Sequence, residues 1–208
     1  MVTSHMAHTQ PSRDYLDFDA FIAAYAEKDV RYELYDGEAF AMSGGSENHS
    51  LVSGNAFSAF KLRAKPRGCQ THGPDLYVRP EDDNRSAMSP DVYVRCGPPI
   101  SSGQYYASDP LIIVEVLSPS TMRFDRGEKL RRYQDFPSLQ HVILLYQDEY
   151  RAEMWTRPPE GSTATDVDGN LLWTHKVANG LTSSLTVAAL GDEAIGLEEF
   201  YDGVELPM

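Results

Sequence analysis

The stretch Leu111-Ile-Ile-Val-Glu-Val-Leu117 decides how the rest of the chain is read. It is apolar and β-branched without alternation, which describes a strand buried on both faces in the middle of a sheet. Ser118-Pro-Ser-Thr121 stops the strand and starts a helix expected to reach Phe136. One residue breaks the pattern. An unpaired carboxylate in such a strand costs several kcal/mol or shifts its pKa, so Glu115 requires a metal ion, an arginine or a hydrogen-bond donor beside it.

Working outward from this strand, the order of elements is that of a mixed sheet with helices packed on it. Phe18, Phe21, Ile22 and Tyr25 recur at helical spacing, with Asp17 or Asp19 as the N-cap. Alternation in Arg31–Tyr35 and Glu38–Met42 flanks Asp36-Gly37, the signature of a hairpin. Ser46 caps a second helix whose apolar stripe runs through Leu51, Val52, Ala56, Phe57 and Phe60. Strand-like runs follow at Cys69 to Val78 and Asp91 to Arg95, separated by a polar loop from Pro80 to Ser89. Beyond the central strand and its helix, strands are expected at His141 to Tyr146, Arg151 to Thr156 and Leu171 to Val177. Residues 1–12, with the vector-like Ser4-His5-Met6, are set aside, and 13–208 are read as one domain.

Composition bounds the function. No apolar run reaches the roughly 18–20 residues of a membrane span, and no export signal is visible. Cys69 and Cys96 suggest free thiols of a reduced compartment, which points to the cytoplasm, with a single bridge between them as the lesser alternative. A formal net charge of −13 argues against a broad nucleic-acid-binding surface. It leaves room for local basic clusters, and carboxylates gathered around a metal would add to it.

Asp91 opens a strand directly after Pro90. If that strand lies beside the central one, Asp91 and Glu115 point to one side, an oxygen-rich pair of the kind Mg²⁺ or Mn²⁺ prefers. Lys129, on the following helix, is placed to meet them if the helix folds back over the sheet. Asp125 and Lys129 are also an i, i+4 pair, and on spacing alone a plain surface salt bridge is the favoured reading.

These residues carry a family resemblance. Tyr32-Glu-Leu-Tyr-Asp-Gly-Glu38, His49 at a helix start, Pro90-Asp91, Val114-Glu-Val-Leu-Ser-Pro-Ser-Thr121 and Asp125-Arg-Gly-Glu-Lys129 resemble the Uma-two family of restriction endonucleases, within the PD-(D/E)XK superfamily. The resemblance spans roughly Arg31 to Trp155. It implies an α/β, restriction-endonuclease-like mixed β-sheet flanked by helices. It further implies a Mg²⁺ (or Mn²⁺) site on Asp91 and Glu115, phosphodiester hydrolysis with DNA as partner, and a homodimer by analogy. The chain departs from the superfamily at Leu117, where the usual lysine stands two residues after the second acid, so Lys129 becomes its substitute. Glu38 and His49 also match. Glu38 is either a third acidic group near the metal or a solvent-facing hairpin residue; His49 is either an acid/base or phosphate contact, or structural. A non-catalytic binding module that keeps the fold is the competing reading.

Overall fold

The computed structural model describes residues 15–206 except 43 and 192; the segment 1–12 lies outside the described residues. The central run forms strand β7 (Pro110–Leu117), buried almost throughout. Its neighbours are β8 (His141–Tyr146), which runs parallel to it, and β5 (Val92–Arg95), which runs antiparallel. With β9 (Arg151–Thr156), β10 (Thr174–Asn179) and β3 (Gln70–His72) they make a six-stranded sheet of order β10-β9-β8-β7-β5-β3. The mixed sheet expected from the pattern is present.

Both faces are covered, as a doubly buried central strand demands. Ile112, Val114 and Val116 of β7 pack with Val52, Ala56 and Phe60 of helix α2 (Glu47–Ala64). The alternate residues Ile113 and Leu117 pack with Leu130 and Tyr133 of α4 (Leu130–Gln134). The period of two therefore assigns Glu115 to the α4 face. Helix α2 starts where Ser46 Oγ accepts the His49 amide at 3.1 Å, the expected cap. Ser46 Oγ also donates to Gln147 Oε1 at 3.0 Å, tying the helix start to the end of β8.

The crossover between β7 and β8 is helical, but not uniformly. A short turn α3 (Met122–Phe124) leads into a π-helical turn, Asp125–Lys129, before α4. Helix α1 (Phe18–Tyr25) is capped by Asp17 Oδ1. The hairpin of β1 (Tyr32–Tyr35) and β2 (Glu38–Ala41) turns at Asp36 (φ 49°) and Gly37 (φ 83°), the left-handed pair that a two-residue hairpin turn requires. Among the described residues no helix is long and apolar enough to cross a membrane.

Three expectations need correction. The run from Cys69 to Val78 splits into β3 and a short β4 (Tyr77–Val78) that pairs with β6 (Tyr106–Ala107). The polar loop before Asp91 folds inward: Ala87 bridges Leu34, Met88 bridges Val78, and Ser86 and Ser89 are buried. The cysteines are not free. Gln70 pairs with Arg95 across β3 and β5, so Cys69 and Cys96, one step beyond, face each other with Cα atoms 4.1 Å apart and form a disulfide. Strand pairing decides this, and composition does not carry it; the reduced compartment inferred from free thiols loses that basis.

Beyond β10 the chain closes with β11 (Ser184–Thr186), β12 (Ala194–Gly196) and α5 (Leu197–Phe200), which joins the α2 face. The bidentate Arg63–Glu199 pair, at 2.9 Å for each bond, ties α5 to α2.

Two stability effects follow. The disulfide spans a sequence separation of 27 residues, and restricting the unfolded chain over such a loop is worth about 3.5 kcal/mol. Urea unfolding with and without reductant checks this, and coincident midpoints would refute it. His141 is 2% exposed; its Nδ1 lies 3.0 Å from Thr156 Oγ1 and its Nε2 accepts the Ala189 amide at 3.3 Å. Burial lowers its pKa to about 4. The unfolded chain then binds more protons below pH ~6.5, so His141 removes up to about 3 kcal/mol of stability as pH falls from 6.5 to 4. His141→Gln should flatten the acid limb of the stability profile, and an unchanged slope would exclude this histidine as its source.

Candidate functional site

Antiparallel pairing of Val92 with Val114 sets the site. One step beyond that pair, Asp91 stands opposite Glu115. The Asp91 amide lies 3.4 Å from Glu115 Oε2, and the Val116 amide donates to Asp91 Oδ2 at 2.7 Å. Asp91 and Glu115 thus occupy adjoining positions on neighbouring strands.

Lys129 reaches Glu115 from the π-helical turn. Its Nζ lies 2.8 Å from Glu115 Oε1, 2.9 Å from Glu33 Oε1 and 3.9 Å from Asp125 Oδ1. The residue is 3% exposed, which rules out the surface salt bridge with Asp125 as its whole role. The Tyr133 hydroxyl also donates to Glu115 Oε1, supplying the partners that a carboxylate in a core strand needs. A π turn is a local widening often found at functional sites, and here both its ends, Asp125 and Lys129, are buried.

His49 sits on the first turn of α2 with Nε2 3.4 Å from Asp91 Oδ2. Hydrogen bonding to Asp91 raises its pKa, against the opposing effect of burial; the Asp91 charge and the backbone of Val116 add to the rise. Gly45 makes this placement possible, since a Cβ there would come within 2.9 Å of the His49 ring.

Glu33 is the residue that sequence reasoning missed. It lies in the Tyr32-Glu-Leu-Tyr segment, but on an alternating hairpin its face reads as solvent-exposed. Leu34 packs inward with Phe18 and Phe21, which turns Glu33 the other way, onto Lys129. Glu33 Oε1 also accepts the Ser89 amide at 2.7 Å. Glu38 is placed differently. It pairs with Tyr35 beside the turn, half-buried, and is not on the wall of the cleft that opens over the acids.

That cleft has a volume of about 900 Å³ and is walled by Glu33, His49, Asp91, Asp125 and Lys129 together with the hairpin. Glu115 lies beneath, 4% exposed. Burial raises its pKa to about 8, the Lys129 ammonium opposing the rise and the carboxylates of Asp91, Asp125 and Glu33 adding to it. Asp125 is likewise raised, by burial first. Lys129 is held well above its ordinary value because its carboxylate neighbours outweigh the cost of burial. Four carboxylates thus share one lysine and one histidine.

This excess of acid, all hard oxygen, fits a small divalent cation on Asp91 and Glu115. Among the described residues no group of three His, Cys, Asp or Glu side chains is arranged to hold a metal ion. The fit is therefore to an ion that keeps most of its water, as Mg²⁺ does on one or two carboxylates.

Comparison with known proteins agrees with this architecture. A protein from Anabaena variabilis, described as a "putative nuclease", has a crystal structure that superposes with a TM-score of 0.69 over 91% of this chain and 99% of that one. At 14% identity, the match shows a shared fold. Two uncharacterised proteins of Synechocystis are 32% identical over 63% of this chain and 68% of their own length, and 29% identical over 60% and 71%. Residues 14–188 match the Uma-two family model, described as "putative restriction endonuclease", and the chain belongs to that family.

Proposed function

We propose that the protein is a metal-dependent endonuclease that hydrolyses phosphodiester bonds of DNA. The observation that carries this is the convergence of Asp91, Glu115 and Lys129, from two strands and a helix, beside one open cleft. Asp91 and Glu115 would hold Mg²⁺ or Mn²⁺, which when bound lowers the pKa of water and stabilises charge on a phosphoryl oxygen.

The chain's own residues supply the remainder. Lys129 and Tyr133 engage Oε1 of Glu115, leaving Oε2 turned toward Asp91. Lys129 pulls the raised Glu115 pKa back down and offsets negative charge where a phosphate would arrive. His49, with its raised pKa and its place on the cleft wall, is the group able to give a proton to a leaving oxygen.

The acidic net charge favours a second reading, a binding module that keeps the fold and the metal without cleavage. Calorimetric titration with Mn²⁺ should show binding by the intact protein that Asp91→Ala and Glu115→Ala each abolish, and the intact protein should nick DNA in Mn²⁺. Binding without nicking selects the module. Absence of heat both with and without oligonucleotide would remove the metal site altogether.

Lys129→Ala should also destabilise the fold by about 3–5 kcal/mol, because it leaves buried carboxylates uncompensated. Denaturant unfolding measures this, and a loss below about 1 kcal/mol, within the range of exposed ion pairs, would contradict the buried network.

A further inference from the structure

The walls of the cleft differ in chemistry. In the β1–β2 hairpin Glu33 pairs directly with Phe40, and residues directly opposite in a sheet share a face. Glu33, Tyr35 and Phe40 therefore project together over the acid cluster, and all three line the cleft. Phe40 is 49% exposed, and among the described residues it stacks on no other ring, whereas Tyr35 meets Phe124 edge-on at 5.2 Å. Helix α2 brings His49 and the hydroxyl side chains of Ser50 and Ser53 to the same cleft. An open aromatic face thus shares one cleft with hydroxyls, an imidazole and carboxylates.

Charge and size narrow what fits. Proteins that grip duplex DNA through its backbone neutralise several phosphates, and those making about 6–10 contacts lean on that term for affinity. Here Arg31 and Lys129 are the lysine and arginine side chains on the described cleft wall, and Lys129 is committed to carboxylates. A cavity of about 900 Å³ is the size of a small-ligand site. A paired, stacked base cannot offer its face to Phe40 without being flipped out, which costs a few kcal/mol, whereas an unpaired base offers it freely.

We propose that the cleft takes unpaired DNA, with a base stacked on Phe40 and the adjoining sugar-phosphate along the α2 wall. This rests on the nuclease reading for the role of the carboxylates, but its recognition step stands apart from cleavage. Stacking supplies the affinity that phosphate contacts cannot supply here, and it is tolerant of sequence because every base has a π-face.

The test is fluorescence anisotropy in Mn²⁺ with labelled phosphorothioate oligonucleotides, single-stranded and as the matching duplex. The intact protein should bind the single strand at least ~10-fold more tightly. Phe40→Ala should weaken that binding by roughly 10-fold, and Phe40→Trp should restore it. Unchanged circular dichroism and melting would show that the exposed position leaves the fold intact. Equal or tighter duplex binding, no single-strand binding, or an indifferent Phe40→Ala overturns the proposal. Cleavage assays on unmodified DNA separate the two readings. Duplex cut at the same rate by intact protein and Phe40→Ala retains the nuclease and sinks the unpaired substrate. Phe40-dependent single-strand binding without any cleavage does the reverse.

Discussion

A lysine ammonium removed from water holds the site together. Moving such a charge inside costs several kcal/mol even after relaxation, and only close carboxylates with further hydrogen bonds repay it. Lys129 finds them on separate elements: Glu115 on the central strand, Glu33 on the hairpin and Asp125 one turn back on its own helix. One charge thereby fixes the hairpin, the crossover helix and the sheet relative to one another. Because hydrophobic residues of similar volume often stabilise a core as well as an ion pair does, the network's presence is poorly explained by stability alone. Its position beside the cleft supplies the other explanation.

The family's departure at Leu117 becomes intelligible in the same terms. That side chain is 1% exposed and packs with Leu130 and Tyr133 in the apolar cluster under the crossover helix. A lysine there would have to carry its charge through that cluster. Delivered from the helix, the ammonium reaches the same carboxylate from the open side, and the strand stays apolar except at Glu115. Tyr133, one turn beyond Lys129, packs its ring into the cluster and turns its hydroxyl to that carboxylate, so one helix face provides both partners.

What could be read beforehand was whatever a short window encodes. Glu115 in an apolar run, Pro90-Asp91, the Ser46 cap and the Asp36-Gly37 turn each declare themselves within a few residues, and each stands where the pattern placed it. Glu33 did not, because an acidic residue on an alternating strand is the ordinary sign of a solvated face; only the fold of the hairpin over the helix removes it from water. Cys69 and Cys96 escaped for the same reason, being brought together by a strand register that spacing does not disclose. The π turn, too, is announced by nothing visible in Asp125-Arg-Gly-Glu-Lys129. Legibility failed where a residue's meaning depended on a distant partner.

The charge of the whole molecule and the chemistry of its cleft operate over different distances. A net charge of −13 repels phosphate, but at physiological ionic strength the field of exposed charges is largely screened beyond about 8 Å. Within that range the contacts decide: crowded carboxylates that would draw a cation, His49 beside Asp91 and the open ring of Phe40. A site built this way gains little from long-range steering and much from close fit. Its association with a phosphate-bearing ligand should be slow compared with that of basic proteins, and slowed further by lowering salt, since dilution extends the reach of the repulsion. On the reading proposed above, an acidic surface around an acidic centre would act as a filter, admitting strands that can bring a base and a phosphate into contact together.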